Sequence, residues 1–220
     1  MLEQVAFDIE TTGFDVDDEV TVVGFAMPMG VRVFVQTAGR TAGDVEASVK
    51  ARLSETLVNV STHTDEAALL AAVATFVRDR IHDAETLLIA FNGEVWNGGF
   101  DLPFLRSRYA AREMAWPFDV AYADVLPVVS DRFNTTVDGE EQRGLAAVYE
   151  LLGDGSHSDI DPFADSAAAV TAFEEGRFDE LVLHNVADIL RTQALGRVAE
   201  RYCGKAEFNV KSLTATRKPG

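Results

Sequence analysis

The sequence predicts an α/β fold: a mixed central sheet, antiparallel in its first strands and parallel later, flanked by helices. Three observations lead there. The chain opens on three strand-like segments, two of them joined by a turn short enough to force antiparallel pairing. A helix-periodic segment then leads into a short, wholly apolar run, the alternation that builds layered α/β sheets. The later segments read mostly as helix.

The opening strands are Gln4–Glu10, Val20–Met27 ("VTVVGFAM") and Val31–Gln36 ("VRVFVQ"), with "PMG" as a tight hairpin turn between the last two. Residues 37–63 are of mixed character and include a short helix pattern, Val45–Thr56. In "TDEAALLAAVATFVRDRIHD", Thr64 or Asp65 can cap, and Leu69, Val73, Phe76, Val77 and Ile81 recur at helical spacing. Thr86–Phe91 ("TLLIAF") reads as a buried strand, and "NGEVWNGGFDLPFLRSRYAAR" as a loop feeding a helix. Helices are expected at Ala123–Arg132, Arg143–Leu152, Ser166–Phe173 and from about Phe178 to Tyr202, interrupted by the loop "GDGSHSDIDP". One domain is expected over 1–204, followed by a basic C-terminal tail, 205–220, read as a solvated segment.

Composition narrows the class. The 220 residues are 47% hydrophobic and 25% charged, ordinary for a globular protein. No apolar run reaches membrane-spanning length, and "MLEQVAF" enters a strand pattern at once, so a cytoplasmic location is expected. The single cysteine, Cys203, excludes a disulfide within the chain and a cysteine-built zinc site. The net charge is −17, with fifteen arginines and only four lysines. Because the acids are spread along the chain, this is read as adaptation to molar salt, a halophilic surface, ahead of an acidic partner-binding module.

The chemistry begins in "VAFDIETTG". Asp8 and Glu10 are planted in a strand whose other residues ask to be buried. Side chains alternate, so both carboxylates face one way, their Cα atoms about 7 Å apart. Two such groups repel and are costly to bury unless a positive charge faces them. No lysine or arginine lies nearby in sequence, and a divalent cation is the other solution. Two more acids stand in apolar contexts: Asp101 in "GGFDLPFLRSR" and Asp188 in "LVLHNVADILRTQAL", one helical turn after His184.

"FDIETTG", "FNGEVWNGGFDLPFLRSR" and "HNVADILRT", in that order, resemble the three motifs of the DEDD superfamily of 3′–5′ exonucleases. The middle motif and the length are similar to the proofreading-exonuclease-like branch with an RNase H-like fold, related to the exonuclease domain of family B DNA polymerases. The resemblance covers residues 4–202. It implies hydrolysis of phosphodiester bonds at a single-stranded 3′ end of DNA or RNA, with two Mg²⁺ or Mn²⁺ ions. By that analogy Asp8 bridges both ions, Glu10 and Asp188 hold the one that carries the attacking water, and Asp101 orients the second. Any proofreading role would need a separate polymerase or repair partner.

The third motif departs from the pattern. One branch of the superfamily has tyrosine four residues before its last aspartate, and another has histidine five before; here His184 lies four before Asp188. Residues so spaced share a helix face, about 6 Å apart along the axis, so His184 is a candidate general base beside Asp188. Thr11 and Phe14 continue the first motif and are candidate substrate contacts, Phe14 for the terminal nucleotide. Asn97, or Asn92, in the second motif's loop is a candidate by analogy. Arg106, with Arg108 and Arg112 on the same helix, offers phosphate contacts, as does the basic tail.

Each residue also has a structural explanation: Asp8 and Glu10 as edge-strand acids, Asp101 as a helix cap, Asp188 as a solvated helix acid, His184 as a satisfied core histidine. The altered third motif and the acidity motivate a second functional class, a catalytically weak nucleic-acid-binding or interaction module.

Overall fold

The computed structural model describes residues 2–53, 56–81, 85–94, 100–163 and 167–216. In chain order the elements are β1 (Glu3–Thr11), β2 (Val20–Met27), β3 (Gly30–Gln36), α1 (Val45–Arg52), β4 (Val58–His63), α2 (Glu66–Phe76), β5 (Thr86–Ala90), α3 (Asp101–Ala111), β6 (Ala121–Asp124) and α4 (Val125–Arg132). A two-strand ribbon, β7 (Thr136–Val137) and β8 (Glu140–Glu141), precedes α5 (Leu145–Leu152), α6 (Ala167–Glu175), α7 (Phe178–Tyr202) and β9 (Lys211–Ser212).

Seven strands form one mixed sheet in the order β4-β3-β2-β1-β5-β6-β9. β1, β2 and β3 are antiparallel neighbours, whereas β5 runs parallel to β1 and β6 parallel to β5. This is the RNase H-like arrangement expected of the sequence. The hairpin turn is Pro28–Met29, because Met27 pairs directly with Gly30.

The alternation of β1 divides the core. Val5, Phe7 and Ile9 join the cluster under α2 and α3, while Ala6 joins the cluster under α7. Asp8 and Glu10 therefore face α7. That helix spans the 25 residues expected of it and is buried on nearly every side, with Leu181, Val182, Val186, Ile189 and Leu195 inaccessible to solvent. A β-bulge in the β1–β2 ladder falls between Glu10 and Thr11. Bulges bend a strand locally and collect beside functional sites.

The structure corrects the local reading in three places. Ala121–Asp124 is a strand, although the helix pattern had been extended to Ala123; Tyr122 and Ala123 pair with β5, and Asp124 caps α4 by accepting from Leu126 N at 3.1 Å. β4 was not anticipated, and it exists as the parallel neighbour of β3. Its six residues take their conformation from pairing more than from a strong pattern of their own. The segment expected as a solvated tail docks as far as residue 216 is described. Lys211–Ser212 pair with β6, Phe208 and Leu213 are buried, and Lys211 is ion-paired to Glu94. Among the described residues no helix is long and apolar enough to cross a membrane.

Candidate metal centre

Three segments meet at the C-terminal end of β1. The first is β1 itself, presenting Asp8 and Glu10. The second is the start of α3. Asp124 takes backbone N–H bonds from Asn92 (2.8 Å) and Glu94 (3.1 Å), fixing the loop after β5. The Gly93 carbonyl then accepts from Leu102 N at 2.9 Å. A Cβ on Gly93 would lie 2.7 Å from Asp101 Oδ2, so only glycine lets the loop pass this close. Asp101 is 4% exposed, and the residue in the cap position is Phe100, without a side-chain cap bond, so capping does not explain the aspartate.

The third segment is α7, which brings His184, Asn185 and Asp188. Asn185 Nδ2 donates to Asp8 Oδ2 at 3.0 Å. Its Oδ1 lies against Gly24, where a Cβ would come within 1.9 Å. Gly24→Ala is therefore expected to displace the amide that holds Asp8 and to cost about 1–3 kcal/mol of stability by overpacking. An unchanged urea midpoint would show that this packing is not tight.

Together Asp8, Glu10, Thr11, Phe14, His184 and Asp188 line a cleft of about 430 Å³. The four acids act on one another. Burial, then the charges of Asp101, Glu10 and Asp188, push the Asp8 carboxyl well above its ordinary range. Burial, then Glu10, Asp124 and Asp188, do the same to Asp101. Glu10 is raised from 4.5 to about 7, by burial first, against the lowering field of His184. Asp188 is raised as well, by burial, although His184 and Arg191 pull it down.

His184 Nδ1 lies 2.8 Å from Asp161 Oδ1. Burial alone would lower the imidazole, but the bond to Asp161 and the charges of Glu10 and Asp188 outweigh it and lift the pKa from 6.5 to about 9. In this state His184 is a cation paired with Asp161 rather than a free base. Arg191 Nη1 donates to Asp161 Oδ2 (3.0 Å) and to Asp188 Oδ1 (3.1 Å), closing a four-residue network. One ligand atom each from Asp161, His184 and Asp188 lie within 4.8 Å of one another.

The remaining candidates divide. Thr11 lines the cleft, its hydroxyl donating to Gly13 O at 2.7 Å. Phe14 is 63% exposed at the cleft mouth, its ring edge-on to Phe100 at 5.2 Å. Asn92 serves through its backbone, and Asn97 lies outside the described residues. Arg106 stands apart from the cleft, over the Trp116 ring at 5.3 Å. Arg108 and Arg112 are not free for phosphates, because both bind the buried Glu66 carboxylate.

Asn185, Asp161 and Arg191 escaped the sequence reading. Asn185 had a signal, a polar residue inside an apolar helix. Asp161 had little, one acid among several in a loop.

An oxygen-rich donor set of mutually repelling carboxylates suits a hard divalent cation. Among the described residues no lysine or arginine is ion-paired to Asp8, Glu10 or Asp101. Mg²⁺ or Mn²⁺ therefore fits the residues present. No family model matches the chain, and no curated protein matches it.

Proposed function

We propose that the protein is a metal-dependent 3′–5′ exonuclease acting on a single-stranded end of DNA or RNA. The observation that carries this reading is that Asp8, Glu10 and Asp188, from two distant segments, line one cleft, with Asp101 from a third near enough to raise the Asp8 carboxyl. Their order along the chain and the RNase H-like sheet agree with the exonuclease resemblance, which alone supplies the 3′–5′ direction.

The four carboxylates would hold two ions, which when bound supply Lewis-acid activation of water and of the leaving oxygen. The chain's own residues do the rest. Asn185 fixes the rotamer of Asp8. Phe14 and Phe100 form an apolar wall against which a terminal base can stack. Asp161 holds His184 by Nδ1, so the other ring nitrogen is left to carry a proton at the site. Repulsion between a −17 protein and phosphate is the main opposing force. Bound cations invert the charge locally, and at 1 M salt the Debye length falls to about 3 Å. A cytoplasmic location and, for proofreading, a separate polymerase or repair partner belong to the same reading.

The ion pair between Arg191 and Asp188 favours a second reading, a weakly catalytic nucleic-acid-binding module, because it neutralises one of the four acids in place. One assay decides. End-labelled single- and double-stranded DNA and RNA are incubated with Mn²⁺ or Mg²⁺ at low and molar salt. A ladder shortening from the 3′ end, lost without metal and in Asp8→Ala, is the expected result. Binding without degradation, unchanged in Asp8→Ala, would overturn the exonuclease and leave the module.

A further inference from the structure

A second concavity, of about 390 Å³, lies between the exposed side of α3 and the chain after β9. Arg106, Tyr109, Met114, Trp116, Leu213 and Thr214 line it. Trp116 is half-buried and oriented by its own bond, Nε1 donating to Leu213 O at 3.0 Å. Tyr109 and Phe118 brace the indole at 5.8 Å and 4.9 Å. The Arg106 guanidinium stacks over it, exposed.

The charge at this groove differs from that of the rest of α3. In a chain of net charge −17, the two arginines that follow on the same helix, Arg108 and Arg112, are both bound to carboxylates. Arg106 has no carboxylate partner among the described residues. Its cation is exposed and backed by an aromatic plane. That pairing serves single-stranded nucleic acid, where every base has a π-face and every linkage a negative charge. Stacking also survives the salt that screens simple phosphate contacts.

Two connections lead from the acid cleft to this groove. Asp101 opens α3, and Arg106 follows five residues later, on the order of 7.5 Å along the axis. On the other wall, Lys211 is ion-paired to Glu94, whose backbone is held by Asp124, and the chain then runs through Ser212 to Thr214.

We propose that this groove is a nucleotide subsite for the same single strand whose 3′ end enters the acid cleft, with Arg106 and Trp116 clasping an upstream residue. The proposal rests on the nuclease reading of the cleft, and its test separates the two. The Trp96→Phe variant leaves Trp116 as the only tryptophan of two. Its emission is followed while dT20 is added in EDTA, where nothing is cleaved. Saturable quenching is expected, with the apparent Kd raised at least tenfold by Arg106→Glu and less by Arg106→Lys. In the metal-loaded protein, the ratio of KM for dT20 to KM for dT3 should rise about tenfold in Arg106→Glu. No quenching, equal quenching by polyglutamate, or a Kd and KM ratio untouched by Arg106→Glu would each overturn the subsite. If the protein cleaves neither oligonucleotide, the nuclease reading fails, and the titration still decides whether the groove binds nucleic acid.

Discussion

Asp8→Asn is expected to abolish turnover and, in the metal-free protein, to raise the melting temperature. Both effects have one cause. Asp8 sits among Glu10, Asp101 and Asp188, and burial with their charges drives its carboxyl well above the ordinary range. An amide cannot ionise, so the substitution removes the cost of burying an ionisable carboxyl among three others while leaving an isosteric group beside Asn185. If the proposed nuclease reading holds, the site loses one of the carboxylates that would hold metal, and the expected loss of turnover is about 10³-fold or more. A site that destabilises its own scaffold until a ligand arrives is a common stability–function trade.

The same repulsion would make a bound divalent cation a stabilising ligand, and it gives the metal-free protein a pH dependence of definite sign. Metal at a hundred times its Kd should add about 2.7 kcal/mol to the wild type, and clearly less to Asp8→Asn. Glu10 ionises near 4.5 when unfolded and near 7 when folded, a difference worth on the order of 3 kcal/mol. The folded state holds the extra proton, so that contribution is full below 4.5 and is lost as pH rises through about 7. His184, raised from 6.5 to about 9, acts in the same direction over a higher window. Thermal melts in EDTA between pH 5 and 9 should show a falling midpoint that Mn²⁺ restores. A midpoint indifferent to Mn²⁺, or an Asp8→Asn enzyme that keeps its turnover, would remove the metal centre.

How much of this was legible in advance depended on where each residue's partner lay. α7 could be read to its ends because burial on nearly all sides leaves a long, uninterrupted helical pattern. Asp8 and Glu10 stood out because carboxylates in a buried strand contradict their surroundings, and such conflicts mark functional sites. Asp161 was hidden. Its loop neighbours are also acidic, and its partners His184 and Arg191 lie 23 and 30 residues away. β4, β6 and β9 are short strands at or near the sheet margins, specified by pairing more than by sequence pattern. Arg108 and Arg112 misled most. Following an acidic motif on one helix, they resemble phosphate ligands, yet the carboxylate that claims them lies 42 and 46 residues upstream.

That carboxylate carries the second large expectation: Glu66→Ala should cost about 3–5 kcal/mol, the usual result of breaking a buried ion pair by removing one partner. Glu66 has no exposed surface. Its Oε1 accepts from Arg108 Nε and Val20 N, both at 2.8 Å, and its Oε2 from Arg108 Nη2 at 2.9 Å and Arg112 Nε at 2.5 Å. Burial favours the neutral acid, but these donors outweigh it and hold the pKa below 4.5. Stability from this group is therefore present above pH 4.5 and lost as pH falls below it, opposite in sign to Glu10. The two arginines are not equally stranded by its loss. Arg112 is 29% exposed in its side chain and already reaches Glu19 at 3.2 Å, whereas Arg108 is 10% exposed and, among the described residues, keeps only the Val16 carbonyl. Pairing Glu66→Met with Arg108→Met should thus recover most of the urea midpoint lost by Glu66→Ala, since apolar replacement of both partners removes the orphaned charge. A Glu66→Ala loss below about 1 kcal/mol would place the pair with ordinary surface bridges. The network ties α3 to the start of β2 and to α2, and α3 opens with Asp101. The arginines that look like substrate contacts therefore serve the acid cleft indirectly, by fixing the helix that delivers one of its carboxylates.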